Sequence, residues 1–398
     1  MPGKLVIVSQ HYPPDRSTTA AIMRQIAEHL AGEQEVVVLS GWPGSERDES
    51  ALAGRPAIVE IRNNITAKGA LVRRAAAELA FTLRAFLALL RRLRPGDVVL
   101  TVTAPFMLPY AVVAAAWLRR ARSALILHDL YPDVLVMSGL LKPSSLVAMA
   151  MRAANALMFR ALDAVITIGR DAEPLLLRYR GMARDRIRFI PNWTTVAPAV
   201  RPVDPDNRYR RGHAARFFVG LSGNLGFTHD PEIVFEAARL LRDEGGIHFL
   251  LSGWGIGFER LRQFQAEAEL PNVTLFERVE DGELEHFLSA ADVWLIPYRK
   301  DVAGVSVPSR FYNLLAVGRS VILVSEPEAE AAMTVTDNSL GWVVRPGSAV
   351  ELAEAVRAAS LSADPARAER AVTVARSFAA DVAMARYATL IDGLLRGE

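Results

Sequence analysis

The sequence predicts an α/β protein of two doubly wound parallel domains that face each other across a cleft. Three observations carry this. Short β-branched runs alternate with segments whose apolar residues recur at helical spacing, along nearly the whole chain. The strand runs are almost continuously apolar, as in parallel sheets covered by helices on both faces. The chain has 398 residues, more than one ordinary hydrophobic core accommodates, so two domains are the default.

The expected strands of the first half are KLVIVSQ (4–10), EVVVLSG (35–41), AIVEIRN (57–63), DVVLTVT (97–103), ALILHD (124–129), DAVITIG (163–169) and RIRFIPN (186–192). Helical spacing is clear from Ala20 to Leu30 and from Ala70 to Leu93. Ala104 to Leu118 is weakly polar but contains two prolines and falls short of the roughly 20 apolar residues of a bilayer span. It reads as a loop followed by a buried helix. RPVDPDNRYRRGHAAR (201–216) breaks the alternation with Pro, Asp and Arg and reads as an interdomain linker. A second series follows: FFVGLSG (217–223), IHFLLSG (247–253), NVTLFER (272–278), DVWLIPY (292–298), SVILVS (320–325) and GWVVRPG (341–347). Its helices are expected at 232–242, 258–267, 283–289, 309–317 and 350–361. The expected domains are therefore 1–200 and 217–380, with an amphipathic segment over 381–398 folding back on the first.

Composition narrows the function. With 51% apolar and 23% charged residues the chain is a folded protein, and with no cysteine it has no disulfide, thiolate nucleophile or Cys-ligated metal. Leu5–Val8 is too short for a signal-peptide core. Residues 1–200 hold 25 Lys and Arg against 16 Asp and Glu; the remainder holds 21 against 28. A basic first half and an acidic second half suit two domains with different partners. Lys68–Arg94 carries seven basic residues and one acid, Glu78, with Leu71, Leu79, Phe81, Leu83, Phe86, Leu87 and Leu90 as apolar bulk. Such a segment either lies on an anionic membrane or is an ordinary helix buried on one face.

In open parallel sheets ligands bind beyond the carboxyl ends of the strands, so candidate site residues are sought there. SGNLG (222–226) and SGWGIG (252–257) bring Gly223, Asn224, Gly226, Gly253 and Gly255 to strand ends, where glycine lets backbone N–H groups approach a ligand. Neither is followed by Gly-Lys-Ser/Thr, so neither is a Walker loop. VSVPSRFYNLLAVG (305–318) starts a helix with Arg310 in its first turn, where acids are usual. A cation there suits a phosphate ligand, with Ser306, Val307 and Ser309 around Pro308 offering backbone N–H groups, Ser309 a hydroxyl, and Asn313 an amide for a ribose hydroxyl. His229 either donates to the phosphate or merely precedes the next helix. His128 and Asp129 end another strand, suited to a sugar hydroxyl or proton transfer. The loop HYPPDRSTTA places His11, Asp15, Arg16, Ser17 and Thr18 at a strand end, as acceptor contacts. His29, His213, His248 and His286 have no acidic or histidine partners at metal-ligand spacing, and Asp204-Pro205-Asp206, though it matches an Asp-x-Asp pattern, reads as a turn in the linker, so no metal is expected.

HYPPDRSTTAAIMRQIAEHL, HDLYPDVLVMSGLL, VITIGRDAEPLLLRY, RFIPNW, SGNLG, SGWGIGFERLRQF, NVTLFERVEDGELEHFLSAADVWLIPY and VPSRFYNLLAVGRSVI, in that order, resemble the retaining family 4 glycosyltransferases with the GT-B fold of two Rossmann-like domains. The form of HYPP, HDLYPD and VPSRFYNLLAVG is most similar to the branch that builds O-antigen, capsule and exopolysaccharide repeat units. The resemblance implies a nucleotide-sugar donor, expected to be a UDP-sugar, on the C-terminal domain, with Arg278 and Val279 joining the residues above. It implies an acceptor on the N-terminal domain, expected to be an undecaprenyl-diphosphate-linked saccharide. It further implies retention at the anomeric carbon, no metal or other cofactor, and a cytoplasmic enzyme with peripheral contact at the inner face of the membrane. The transferred sugar is expected to be an N-acetylated hexose or deoxyhexose. Two glutamates common in the family fall here near Val305 and at Asn313, and Arg310 and Asn313 are expected to replace them. A nucleotide-sugar 2-epimerase of the same architecture and a catalytically degenerate partner subunit remain alternatives.

Overall fold

The computed structural model describes residues 3–42, 55–63, 71–362 and 364–397. In chain order the first half runs β1 (Leu5–Ser9), α1 (Thr18–Leu30), β2 (Val36–Ser40), β3 (Ala57–Glu60), α2 (Leu71–Arg92), β4 (Val98–Val102), α3 (Leu108–Arg119), β5 (Arg122–Leu127), α4 (Asp133–Met137), α5 (Leu146–Ala161), β6 (Ala164–Thr167), α6 (Ala172–Leu176) and β7 (Ile187–Phe189). The second half runs β8 (Phe217–Asn224), α7 (Pro231–Leu240), β9 (Ile247–Trp254), α8 (Ile256–Ala268), β10 (Val273–Phe276), α9 (Leu284–Leu288), β11 (Val293–Pro297), α10 (Arg310–Ala316), β12 (Ser320–Val324), α11 (Glu330–Asp337), β13 (Gly341–Val344), α12 (Ala349–Leu361), α13 (Arg367–Ser377) and α14 (Ala380–Arg396). Every expected strand forms. Among the described residues no helix is long and apolar enough to cross a membrane.

The chain divides into two compact units. The first comprises Met1–Pro132, Pro143–Ile190 and Asp381–Glu398; the second comprises Asp133–Lys142 and Pro191–Ala380. The stretch 201–216, expected as a linker, is part of the second unit. Its polar composition conceals three anchors. Tyr209 is buried edge-on to Phe287, with ring centroids 4.8 Å apart. The Asn207 amide donates to the His286 carbonyl at 3.0 Å. Arg210 reaches Asp292 Oδ2 at 3.0 Å. The Asp204–Asp206 pair forms a turn in which Asp206 N donates to Asp204 Oδ1 at 2.9 Å.

The first unit holds a parallel sheet of order β3-β2-β1-β4-β5-β6-β7. Val6, Val8, Val99, Leu125 and Val165 point to one face, because alternate residues of a strand point the same way. Phe81, Ala85 and Leu89 of α2, Leu108, Val112 and Ala115 of α3, and Met158 and Phe159 of α5 cover that face. These three helices sit side by side because right-handed crossovers, all running the same way along the sheet, return on one side. The last helix, α14, buries Tyr387, Ile391 and Leu394 in this unit, and Arg122 donates to the Leu394 carbonyl.

The second unit holds a parallel sheet of order β10-β9-β8-β11-β12-β13. Here too neighbouring residues part company. Phe218, Leu250, Trp294 and Ile296 enter one apolar cluster, while Val219, Leu251, Val293 and Leu295 enter another. Both faces are therefore covered, which explains the unbroken apolar runs. In each unit the strand order reverses direction beside the first strand, at β1/β4 and at β8/β11. Those reversals mark where a ligand settles in such sheets.

Candidate functional site

In the second unit the end of β8 and the start of α10 bring Arg310 against Gly223, Asn224 and His229 beside the β8/β11 reversal. Gly223 has φ +108°, open to glycine and costly for other residues. A Cβ there would lie 3.2 Å from Arg310 Cζ, so the glycine also makes room for the guanidinium. Arg310 Nη2 donates to the Asn224 carbonyl and lies 3.4 Å from His229 Nε2. Among the described residues Arg310 Nη1 is buried with no hydrogen-bond partner. Burial lowers the Arg310 pKa to about 10, which leaves it a cation at neutral pH. The positive charge here comes from this side chain rather than from the helix dipole, since α10 is only seven residues long and Ser309 makes no side-chain cap bond.

His229 is buried, and burial, with Arg310 and Arg299 next in effect, pulls its pKa well below the usual value. The ring is neutral, so Nε2 can accept from Arg310 while Nδ1, 3.0 Å from Thr228 Oγ1, carries the proton. Arg299 Nε donates to the His229 carbonyl at 2.8 Å. His229 thus holds Arg310 in place from behind.

Gly253 and Gly255 lie one strand over, at the end of β9. Gly255 has φ +94°, and a Cβ on it would come within 2.3 Å of Asn224 Oδ1. The two strand-end turns are therefore packed too closely for side chains. Gly226 lies in the first turn and needs no unusual φ. Ser306, Val307 and Pro308 lead into α10, with Ser306 N bonded to the Val302 carbonyl at 3.4 Å. Val279 packs on the adjoining apolar cluster. Arg278 stacks on Trp254, its guanidinium carbon 4.5 Å from the ring centroid. Trp254 is exposed at the end of β9 and was not singled out in the sequence. The available signal was a large aromatic between two strand-end glycines.

Asn313 is placed differently from its expected ribose contact. Its Oδ1 accepts from Thr195 N at 2.8 Å and its Nδ2 donates to Thr195 Oγ1 at 3.0 Å; Thr194 Oγ1, which donates to the Val196 carbonyl at 2.6 Å, lies 3.0 Å from Oδ1. The amide is committed to tying residues 194–195 to α10.

In the first unit the loop after β1 is knitted around Asp15. Its carboxylate lies 2.7 Å from His11 Nδ1 and accepts from Ser17 N at 3.0 Å and Ser17 Oγ at 2.8 Å. Ser17 in turn caps α1, accepting from Ala20 N at 3.2 Å. Arg16 and Thr18 point outward and are exposed. At the end of β5 the backbone N–H groups of His128 and Asp129 both donate to Thr103 Oγ1 at 3.2 Å. Burial lowers the His128 pKa to about 4, and among the described residues its Nε2 is buried without a partner. A neutral imidazole with one open nitrogen can donate to or accept from a hydroxyl. His11 and His128 both follow strands at the carboxyl edge of this sheet, on either side of β4.

Comparison with known proteins matches residues 17–193 to the "Glycosyl transferase 4-like domain" family and residues 216–360 to "Glycosyl transferases group 1". WbjE of Pseudomonas aeruginosa, assigned as a glycosyltransferase, is 28% identical over 268 residues, 67% of this chain and 66% of that one. WcaI of Escherichia coli (strain K12), assigned as a colanic acid biosynthesis glycosyl transferase, is 28% identical over 278 residues, 68% of each chain. The matches thus span about two thirds of the length of these relatives. Anabaena HepE, solved in complex with UDP, has a similar fold at a TM-score of 0.68 and 15% identity, over 98% of this chain and 100% of that one. With one family model on the sequence of each sheet and both sheets in the GT-B arrangement of strands, the chain belongs to the family 4-type glycosyltransferases of the GT-B fold.

Proposed function

We propose that the chain moves a sugar from a UDP-sugar to a lipid-linked saccharide in bacterial surface polysaccharide assembly, with retention at the anomeric carbon and without a metal. Arg310 is the observation that carries the reading. A buried guanidinium N–H without a partner costs free energy, and a diphosphate oxygen is the ligand that satisfies it with charge assistance. The assignment of WcaI to colanic acid biosynthesis supports the polysaccharide part, and the UDP complex of HepE supports the donor part.

In this reaction the bond between the anomeric carbon and the diphosphate oxygen breaks. A bond to the acceptor hydroxyl oxygen forms on the same face of the sugar, and the hydroxyl proton passes to the departing diphosphate. Arg310 stabilises the negative charge as it builds on the leaving group. Gly223 and His229 fix Arg310 before the donor arrives, so little reorganisation is needed. No side-chain nucleophile is required. His128 is a neutral hydrogen-bonding group for a sugar hydroxyl, with Asp129 beside it. The transferred sugar is an N-acetylated hexose or deoxyhexose on this reading.

Calorimetric titration of UDP, with chelator present, tests the proposal. The wild type is expected to bind. Arg310→Ala is expected to bind roughly 10- to 100-fold more weakly, as for loss of a hydrogen bond to a charged group. A wild type that does not bind UDP would remove the donor assignment and favour the partner-subunit alternative.

A further inference from the structure

We infer that Glu326 is a specificity-determining residue of the donor site: its carboxylate accepts a hydrogen bond from a hydroxyl of the sugar that is transferred. The inference rests on the UDP-sugar reading above and deepens it by naming what holds the sugar. Glu326 follows β12 at the carboxyl edge of the second sheet. Its Oε1 accepts from Asp301 N at 2.5 Å. Among the described residues its Oε2 is buried with no hydrogen-bond partner, and so is Oγ of the preceding residue, Ser325. A buried carboxylate oxygen and a buried hydroxyl without partners each cost free energy, and native proteins keep few of them. Two on neighbouring residues at a strand end call for a ligand rich in hydroxyl groups. Glu326 as a whole is only part-buried, so a ligand at the strand end reaches its carboxylate with a turn of that group.

A chain of contacts joins Glu326 to Arg310. Tyr298, just after β11, donates from its N to the Val324 carbonyl at 3.0 Å. Its ring packs on His229, with centroids 5.0 Å apart, and His229 Nε2 lies 3.4 Å from Arg310 Nη2. Arg299 Nε donates to the His229 carbonyl, and Asp301, two residues on, is the residue that Glu326 holds. Asp301 has φ +66°, uncommon for a residue with a side chain, and the bond from its N to Glu326 fixes that turn. Charge decides which part of the donor lies here. A carboxylate repels a diphosphate, which Arg310 attracts, and accepts the proton of a hydroxyl. The strand order β9-β8-β11-β12 sets Trp254, with Arg278 stacked on it, to one side of β8. Glu326 lies to the other side, two strands or roughly 10 Å away. A flat base suits the exposed Trp254 ring, and a sugar suits Glu326. The donor then lies along the carboxyl edge with its base towards β9, its diphosphate at β8 and its sugar towards β12.

The test is calorimetric titration of the full chain with UDP, UDP-glucose, UDP-galactose, UDP-N-acetylglucosamine and UDP-N-acetylgalactosamine. Glu326→Gln keeps an oxygen for Asp301 N and replaces the charged acceptor by an amide, so the turn is kept and the sugar contact is weakened. Glu326→Ala removes both, and its unfolding midpoint reports the anchor separately. In the wild type at least one of the four UDP-sugars is expected to bind more tightly than UDP. In Glu326→Gln that advantage is expected to fall about 5- to 10-fold, the difference between a charged and a neutral hydrogen bond, while UDP affinity changes less than about threefold. Binding of UDP with no UDP-sugar preferred would overturn this inference alone. So would an advantage that both variants leave intact. Equal weakening of UDP and the UDP-sugars by Glu326→Gln would also overturn it, leaving Glu326 a support of the turn only. A wild type that binds neither UDP nor any UDP-sugar would overturn the donor assignment itself, and this inference with it.

Discussion

Replacing Asn313 by alanine separates a structural clamp from a ligand contact. The side chain makes two hydrogen bonds, from Thr195 N at 2.8 Å and to Thr195 Oγ1 at 3.0 Å, and lies 3.0 Å from Thr194 Oγ1, whose proton is given to the Val196 carbonyl at 2.6 Å. Each is worth about 0.5–1.5 kcal/mol net, and the residue is half-buried, so the loss should be about 2 kcal/mol. For a unit of this size that lowers the unfolding midpoint by roughly 4–8 °C. Asn313→Asp keeps Oδ1 as an acceptor and loses only the donation from Nδ2, so about half of the loss should be recovered. The assay is thermal unfolding followed by near-UV circular dichroism, with UDP titrations on the folded variants. UDP affinity should change less than about threefold, because no bond to the ligand is removed. An unchanged midpoint combined with roughly tenfold weaker UDP binding, the size of a lost ligand hydrogen bond, would refute the clamp and restore the ribose contact.

Two further outcomes follow from geometry already described. Gly223→Ala should destabilise the second unit by about 1–3 kcal/mol, through the positive φ, and weaken UDP binding by crowding Arg310; Gly226→Ala, whose Cβ would meet nothing closer than 3.9 Å, is the control, and equal effects from both would dismiss the argument. His128 has a folded pKa of about 4 against 6.5 when free, so the folded state resists protonation: its contribution is complete above pH 6.5 and is lost as pH falls towards 4, by at most about 3 kcal/mol. His128→Gln should flatten the fall of the unfolding midpoint between pH 7 and 4, leaving the part contributed by His229, His248 and His213, whose pKa values are also lowered by burial; an unaltered slope would show that the ring is not buried in the folded state.

The strands were legible because their apolar runs serve both faces of a parallel sheet, a pattern few other elements share. Arg310 stood out because a cation opens a helix, against the local electrostatic preference. What surrounds it was not legible, since Asn224 and His229 lie 86 and 81 residues away. The partners of Asn313 were hidden for the same reason: they lie 118 and 119 residues earlier, in a stretch with no motif of its own. The periodicity of α5 announced a helix but not its outward side, because MAMRAANALMF is apolar nearly all round. The stretch 201–216 misled in the opposite direction. Pro, Asp and Arg suggested a free connection, and only the burial of Tyr209 and the bonds of Asn207 and Arg210 show that the stretch is pinned down.

The division of the chain bears on how it is made. The backbone passes between the two units four times, after Pro132, Lys142, Ile190 and Ala380. Neither unit is a continuous piece of sequence. During synthesis the first unit lacks α14 until the final helix emerges, although its sheet is complete at Phe189. At 5–20 residues per second the wait is about 10–40 s. Throughout that interval the surfaces that later receive Tyr387, Ile391 and Leu394 stay open. A fragment ending at Ile190 would preserve that unfinished state, with the ten residues 133–142 belonging to a unit it does not contain.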